Sequence, residues 1–198
     1  DENRLCFLIG DVSGKGVPAA LFMAIIKILL KREAMQGVAP DEILARVNSV
    51  IVPDNDACMF ATLFCAVLDT KTGRIEYANG GHNPPLLARK GRSFEYMDVA
   101  CGFVVGAMEK INFKRAEDIL SEGDAIFLYT DGVTEAMNSN KEMFSEKRLK
   151  DVLFELKNKD SAAIVEGVKH RIDEFTQGAQ QSDDITMLAL RFRGNGLS

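Results

Sequence analysis

LIGDVSGKGVPAALFM, residues 8–23, joins an apolar run to a glycine-rich turn and then to a proline-started helix. The turn carries a lysine, so a phosphate cradle is the first reading to test. A nucleotide-binding P-loop follows G-x-x-x-x-G-K-[ST], with a hydroxyl for magnesium at its end. Here three residues separate Gly10 from Gly14, and Gly16 stands where the hydroxyl belongs. The spacing excludes a P-loop. What the stretch does contain is Asp11, at the end of a buried strand expected over residues 3–10. The turn after it is flexible enough to expose its own backbone carbonyls, which makes a place to hold a hard cation.

Outward from this stretch, Pro18 is placed as the first residue of a helix whose end Gly37 marks. Leu21, Phe22, Ile25, Ile26, Ile28, Leu29 and Leu30 cover more than one face of it. Such a helix is buried deep in its own domain, the simpler expectation, or packed against a partner. Pro40, the acidic turn Asp41-Glu42 and apolar Ile43, Leu44, Val47 and Val50 or Ile51 signal a second helix. MFATLFCAVLD (59–69) then reads as strand, TKTG as a turn and RIEYAN (74–79) as the hairpin partner. GGHNPPLLAR (80–89) breaks and restarts the chain, and KGR at 90–92 is another turn. Further strands are expected at 111–118 and 124–130, helices at 145–157 and 161–176, and a last strand in DITMLALRF, 184–192. Strands in hairpins with helices in pairs predict an α+β layered fold, a sheet sandwich flanked by helices.

The 198 residues, 46% of them hydrophobic, fit a single globular unit with a sizeable core. A net charge of -5 and the lack of a basic run interleaved with aromatics argue against nucleic acid as a partner. No apolar run reaches membrane-spanning length and no signal peptide opens the chain, so the expectation is a soluble protein without membrane insertion. Cys6, Cys58, Cys65 and Cys101 form no C-x-x-C pair, which fits reduced, buried thiols in the cytoplasm better than a disulfide frame. His82 and His170 lack the companions of a zinc site and read as structural.

Carboxylates recur at strand ends: Asp11 after FLIG, Asp131 after AIFLYT, and Asp183-Asp184 before ITMLALRF. Burial raises such an acid's pKa unless a cation compensates. Oxygen-only ligands suit magnesium or manganese, not zinc or copper. Taken singly, each also reads as a turn or cap aspartate, and spacing alone leaves their convergence open.

GDVSGKGVPAALFM, ATLFCAVLDTKTGRIEYANGGHNPPLL, GDAIFLYTDGVTEAMN and SDDITMLALRF, in this order, resemble the metal-dependent serine/threonine phosphatases of the type 2C or PPM family. Within that family they are most similar to the bacterial branch of stage II sporulation protein E and the sigma-factor regulator RsbU. The resemblance runs from about residue 5 to residue 193. It implies a PPM-type β-sandwich with helix pairs on its outer faces, layered α-β-β-α, and a single phosphatase domain over 1–198. It implies Asp11 as the carboxylate bridging two Mn or Mg ions, the Val12 carbonyl on one of them, and Asp131 and Asp183, rather than Asp184, completing the other shell. Ser13, Gly14 and Lys15 become the substrate-facing turn, its glycines keeping Cβ groups away from an approaching phosphoprotein.

By resemblance the reaction is hydrolysis of phosphoserine or phosphothreonine by metal-activated water, with a small regulator such as an anti-sigma-factor antagonist as substrate. By the same resemblance a sensor domain is expected upstream, and the chain, which starts at Asp1, is expected to lack the family's first strands. A partner domain or second subunit is expected over the first helix at Ile28 and Leu29, through which Asp11 would be displaced. The departures are Ser13 where many eukaryotic members have histidine, Ser145 where the group has glycine, and GFVVGAM in place of a proline-leucine-glycine turn. The alternative reading is a catalytically silent module that binds a phosphoprotein or partner.

Overall fold

The computed structural model describes residues 2–100, 102–181 and 183–194. Cys101, expected to be a reduced thiol, lies outside the described residues. In chain order the elements are β1 (Arg4–Val12), α1 (Gly16–Ala34), α2 (Pro40–Ile51), β2 (Ala61–Asp69), β3 (Arg74–Gly80), β4 (Leu86–Ala88), β5 (Phe94–Tyr96), β6 (Arg115–Ile119), β7 (Ala125–Tyr129), α3 (Ser145–Leu156), α4 (Ser161–Thr176) and β8 (Met187–Arg191). The expected α+β class holds, with two antiparallel four-stranded sheets ordered β1-β2-β3-β6 and β5-β4-β7-β8. They belong to two compact units, the first reaching His82 and resuming over Asp98–Ile119, the second formed by Asn83–Met97 and the chain from Leu120 onward.

In the first unit, β1 and β2 pair along nine residues each, from Arg4 opposite Asp69 to Val12 opposite Ala61. The sequence reading ends this strand at Gly10. Pairing with Thr62 and Ala61 carries it through Asp11 and Val12. Ile43, Leu44, Val47 and Ile51 give α2 one apolar stripe, and it packs with Ile26 and Leu30 of α1 onto Leu63, Cys65 and Ala78. Helix α1 begins at Gly16, two residues ahead of the expected start, so Pro18 sits inside the first turn. It is tolerated there because its missing N–H would have had no intrahelical acceptor. Deep burial of α1, the simpler expectation, is overturned: only Ala19, Ile26, Leu30 and Glu33 are buried, while Val17, Leu21, Ile25, Ile28 and Met35 are exposed. Glu33 is held in the buried α1–α2 seam by Arg32 at 2.7 Å and by Arg46 of α2 at 3.3 Å. The strand expected at 111–118 is shorter and later: Ile111 and Phe113 pack against the core without pairing, and β6 starts where Arg115 meets Ala78.

In the second unit, β4 and β5 form a hairpin around the predicted turn at residues 90–92. β4 and β8 flank β7, whose five residues are all buried. Leu149, Val152 and Leu153 of α3 and Ile164, Val168 and Ile172 of α4 close over Phe94, Phe127 and Tyr129. The predicted helix boundaries hold to within a residue. The last strand is shorter than expected because residues 184–186 leave the ladder to serve the turn described next.

Candidate functional site

In the first unit, the register places Asp11 directly across from Thr62, so the two side chains share a face of the sheet. Asp11, Val12 and Ser13 are half-buried, and Gly14, Lys15 and Gly16 are exposed. Ser13 extends the strand end: its N–H donates to the Phe60 carbonyl at 2.8 Å and its hydroxyl accepts from the Phe60 N–H at 2.9 Å. The chain then turns through Gly14 at φ 84° and Gly16 at φ 77°, values that L side chains avoid. No protein atom lies within 4 Å of where a Cβ would sit at either glycine. The turn therefore requires glycine for its backbone angles, and the space above it is open. Lys15 occupies the N-cap of α1 and no side chain caps the helix, so first-turn N–H groups and the positive end of the helix dipole are left for an anion.

Thr62 also bonds to His82, Oγ1 to Nδ1 at 2.9 Å. His82 is clamped by the Asn79 side chain, which donates to its carbonyl and accepts from its N–H, both at 2.9 Å. This Asn79–His82–Thr62 chain behind Asp11 was invisible in the sequence, where His82 reads as structural. Only the break at GGHNPP between two apolar runs pointed to it. His170 lies exposed on α4, 3.3 Å from Glu174.

In the second unit, Asp131 opens a short 3-10 turn immediately after β7. Its carbonyl accepts from the Glu135 N–H at 2.8 Å and the Thr134 hydroxyl at 3.1 Å. Thr130 binds this turn to the second acidic segment. Its hydroxyl donates to the Asp184 carbonyl at 3.1 Å and accepts from the Thr186 N–H at 3.0 Å, while its own N–H donates to the Thr186 carbonyl. Gly132 lies so close that a Cβ there would fall 2.2 Å from the Asp184 carbonyl oxygen. Asp131 and the Asp183-Asp184 pair are thus held against one another by backbone. Asp183 is half-buried and accepts from the Asp184 N–H at 2.8 Å, while Asp184 is exposed. Beneath them the Tyr129 hydroxyl lies 3.3 Å from that of Tyr96, and burial first, then this contact, pushes its pKa far above the ordinary phenol range.

Among the described residues no three His, Cys, Asp or Glu side chains gather into a ready metal cluster. The donors on offer are carboxylate and carbonyl oxygens, which fit a hard divalent ion such as magnesium or manganese. The close seat at Gly132 leaves no room for a Cβ, so glycine there lets the two acidic segments touch.

Residues 1–193 match the model of the family described as Stage II sporulation protein E (SpoIIE). The phosphoserine phosphatase RsbU of Bacillus subtilis is 34% identical over 194 residues, covering 96% of this chain and 56% of RsbU. The chain therefore spans little more than half the length of that relative. The crystal structure of the RsbU and RsbW domains of a Mycobacterium tuberculosis protein matches with a TM-score of 0.81 at 26% identity, over 97% of this chain and 52% of that one. The SiaA-PP2C domain of Pseudomonas aeruginosa has the same fold, with a TM-score of 0.81 at 21% identity over 96% of this chain and 79% of that one.

Proposed function

Because the chain belongs to the stage II sporulation protein E (SpoIIE) family, we propose that it is a Mn- or Mg-dependent protein phosphatase acting on phosphoserine or phosphothreonine. The observation that carries the reading is the Asp131 turn seated on the Asp183-Asp184 segment, an oxygen-donor arrangement suited to a hard cation. In this proposal Asp11, the Val12 carbonyl, Asp131 and Asp183 are the metal ligands. A pair of bound divalent ions supplies an acidified water and offsets charge on the phosphoryl oxygens. The chain's own contributions are positional. Pairing with Thr62 fixes Asp11. Ser13 locks the strand end through Phe60, and Gly14 with Lys15 offers an open, cationic turn to the phosphoryl group.

The proposed substrate is a small phosphorylated regulator such as an anti-sigma-factor antagonist, supported by the likeness to RsbU. A sensor domain upstream and a partner domain or second subunit over α1 belong to the same reading. Exposed Ile28 and half-buried Leu29 are proposed as the places where the cover is felt. No helix among the described residues is long and apolar enough to cross a membrane, and the proposed location is the cytoplasm.

The test is phosphate release from a phosphoserine protein as manganese or magnesium is titrated. Turnover should vanish when EDTA strips the metal and return when manganese is restored. Undiminished turnover in the metal-stripped protein overturns the proposal. Tight binding of the phosphoprotein with no turnover at saturating manganese identifies instead a silent binding module.

A further inference from the structure

A pair of thiols in the first unit takes no part in the proposed reaction. Cys6 on β1 lies opposite Val67, and Leu8 lies opposite Cys65 on β2. Cys6 and Cys65 are therefore diagonal neighbours on one face of the sheet. Cys65 is fully buried. Cys6 is half-buried and forms part of the wall of a cavity of about 580 Å³, whose other lining includes Leu8 and Leu30 and the cationic side chains of Arg4, Lys27 and Lys31. The lining thus joins apolar side chains to three cationic ones, a combination that favours small molecules with an apolar body and carboxylates.

We propose that Cys6 and Cys65 form a thiol–disulfide exchange site for low-molecular-weight disulfides bearing carboxylates, and that exchange there closes a disulfide between β1 and β2. Cys6 is half-buried on the cavity wall and Cys65 is fully buried, so Cys6 is the attacking sulfur and Cys65 the resolving one. The neighbouring Cys65 thiol and the field of Arg4 lower the pKa of the Cys6 thiol in the same sense. The Cys6 thiolate attacks one sulfur of the small disulfide, forming a mixed disulfide and releasing one small thiolate. Cys65 then attacks the Cys6 sulfur, its proton leaving with the second small thiol. Two protein thiols are oxidised, one small disulfide is reduced, and two small thiols are released. Exposed Cys58, with Asp54 and Asp56 near it in the chain, serves as an internal reference.

The experiment incubates the folded chain with glutathione disulfide or with uncharged bis(hydroxyethyl) disulfide, then blocks free thiols and maps the peptides by mass spectrometry. The expected result is a Cys6–Cys65 linked peptide lacking two hydrogens. The anionic reagent should form it several-fold faster than the neutral one at low salt, and the preference should shrink in high salt and in Lys27→Gln/Lys31→Gln. Cys65→Ser should stop the reaction at a mixed disulfide on Cys6, and Cys6→Ser should leave Cys65 unmodified while the chain stays folded. Absence of the linked peptide, equal rates for the two reagents, or modification of Cys65 in folded Cys6→Ser overturns the proposal.

Discussion

The helix pairs of the two units use their apolar residues differently. In the second unit α3 and α4 turn Leu149, Val152, Leu153, Ile164, Val168 and Ile172 onto their own sheet. In the first unit α2 does the same, but α1 buries only Ala19, Ile26, Leu30 and Glu33, and leaves Val17, Leu21, Ile25 and Ile28 outside. The acidic residues differ in parallel. Asp11 is fixed by a long strand pairing, whereas Asp131 is fixed by a turn locked to its neighbour through Thr130 and Gly132. The helices of the second unit turn most of their large apolar side chains inward, Phe154 of α3 being the exposed exception among the described residues. The first holds a surplus that serves stability only when something covers it.

The largest expected effect tests the proposed metal ligands. Asp11→Asn and Asp131→Asn should each lower manganese-stimulated hydrolysis by at least about a thousandfold, roughly 4 kcal/mol of barrier, with circular dichroism unchanged. A loss at only one of the two removes the other from the proposed ligands. Asp98→Asn, at an exposed loop acid, should leave turnover unaffected.

Stability should divide the helices more sharply. Leu153→Ala removes a fully buried side chain from the second core and should cost about 2–5 kcal/mol in denaturant unfolding. Ile28→Ala, at a side chain 67% exposed, should stay within about 0.5 kcal/mol. Ile28→Glu should likewise fold, because its carboxylate remains in water. Its effect belongs in sedimentation, in the response to an upstream domain and in a change of a few fold in manganese affinity. A collapse of the Ile28 variants in melting experiments erases the contrast between the two helix pairs.

The smallest effect concerns pH. Arg32 first, then Arg46, holds the Glu33 carboxyl below its ordinary range, so the folded state binds its proton less tightly than the unfolded chain does. The stabilisation is complete above the ordinary glutamate value of about 4.3 and is lost as pH falls through the lower folded value. Melting temperatures between about pH 6 and about pH 3 should therefore fall less steeply in Glu33→Gln. Equal slopes would show that the α1–α2 seam does not depend on this charge.

Much of this was legible in the sequence. The acids beside strands, Asp11, Asp131 and the Asp183-Asp184 pair, were legible as turn or strand-end residues, their proposed role as ligands coming from the resemblance, and the hairpin and both later helices followed from their periodicities. Ile111 and Phe113 misled because an apolar loop residue that fills a core looks the same as a strand residue. The exposure of α1 was hidden because a helix apolar on all sides does not announce which side its sheet will take. The roles of Thr62, Thr130 and His82 depend on register, as does the meeting of Cys6 with Cys65. Register joins residues far apart in the chain.

The same register sets an order of assembly. β2 and β3 are joined by a tight turn, so their hairpin closes a short loop. β1 reaches β2 only across both intervening helices, and the entropy of loop closure rises with that separation. Local pairing therefore comes early, and the pairing of Asp11 with Thr62 comes late. A folding chain can therefore pair β2 with β3 before Asp11 reaches Thr62, so the first of the proposed metal ligands is the one fixed last.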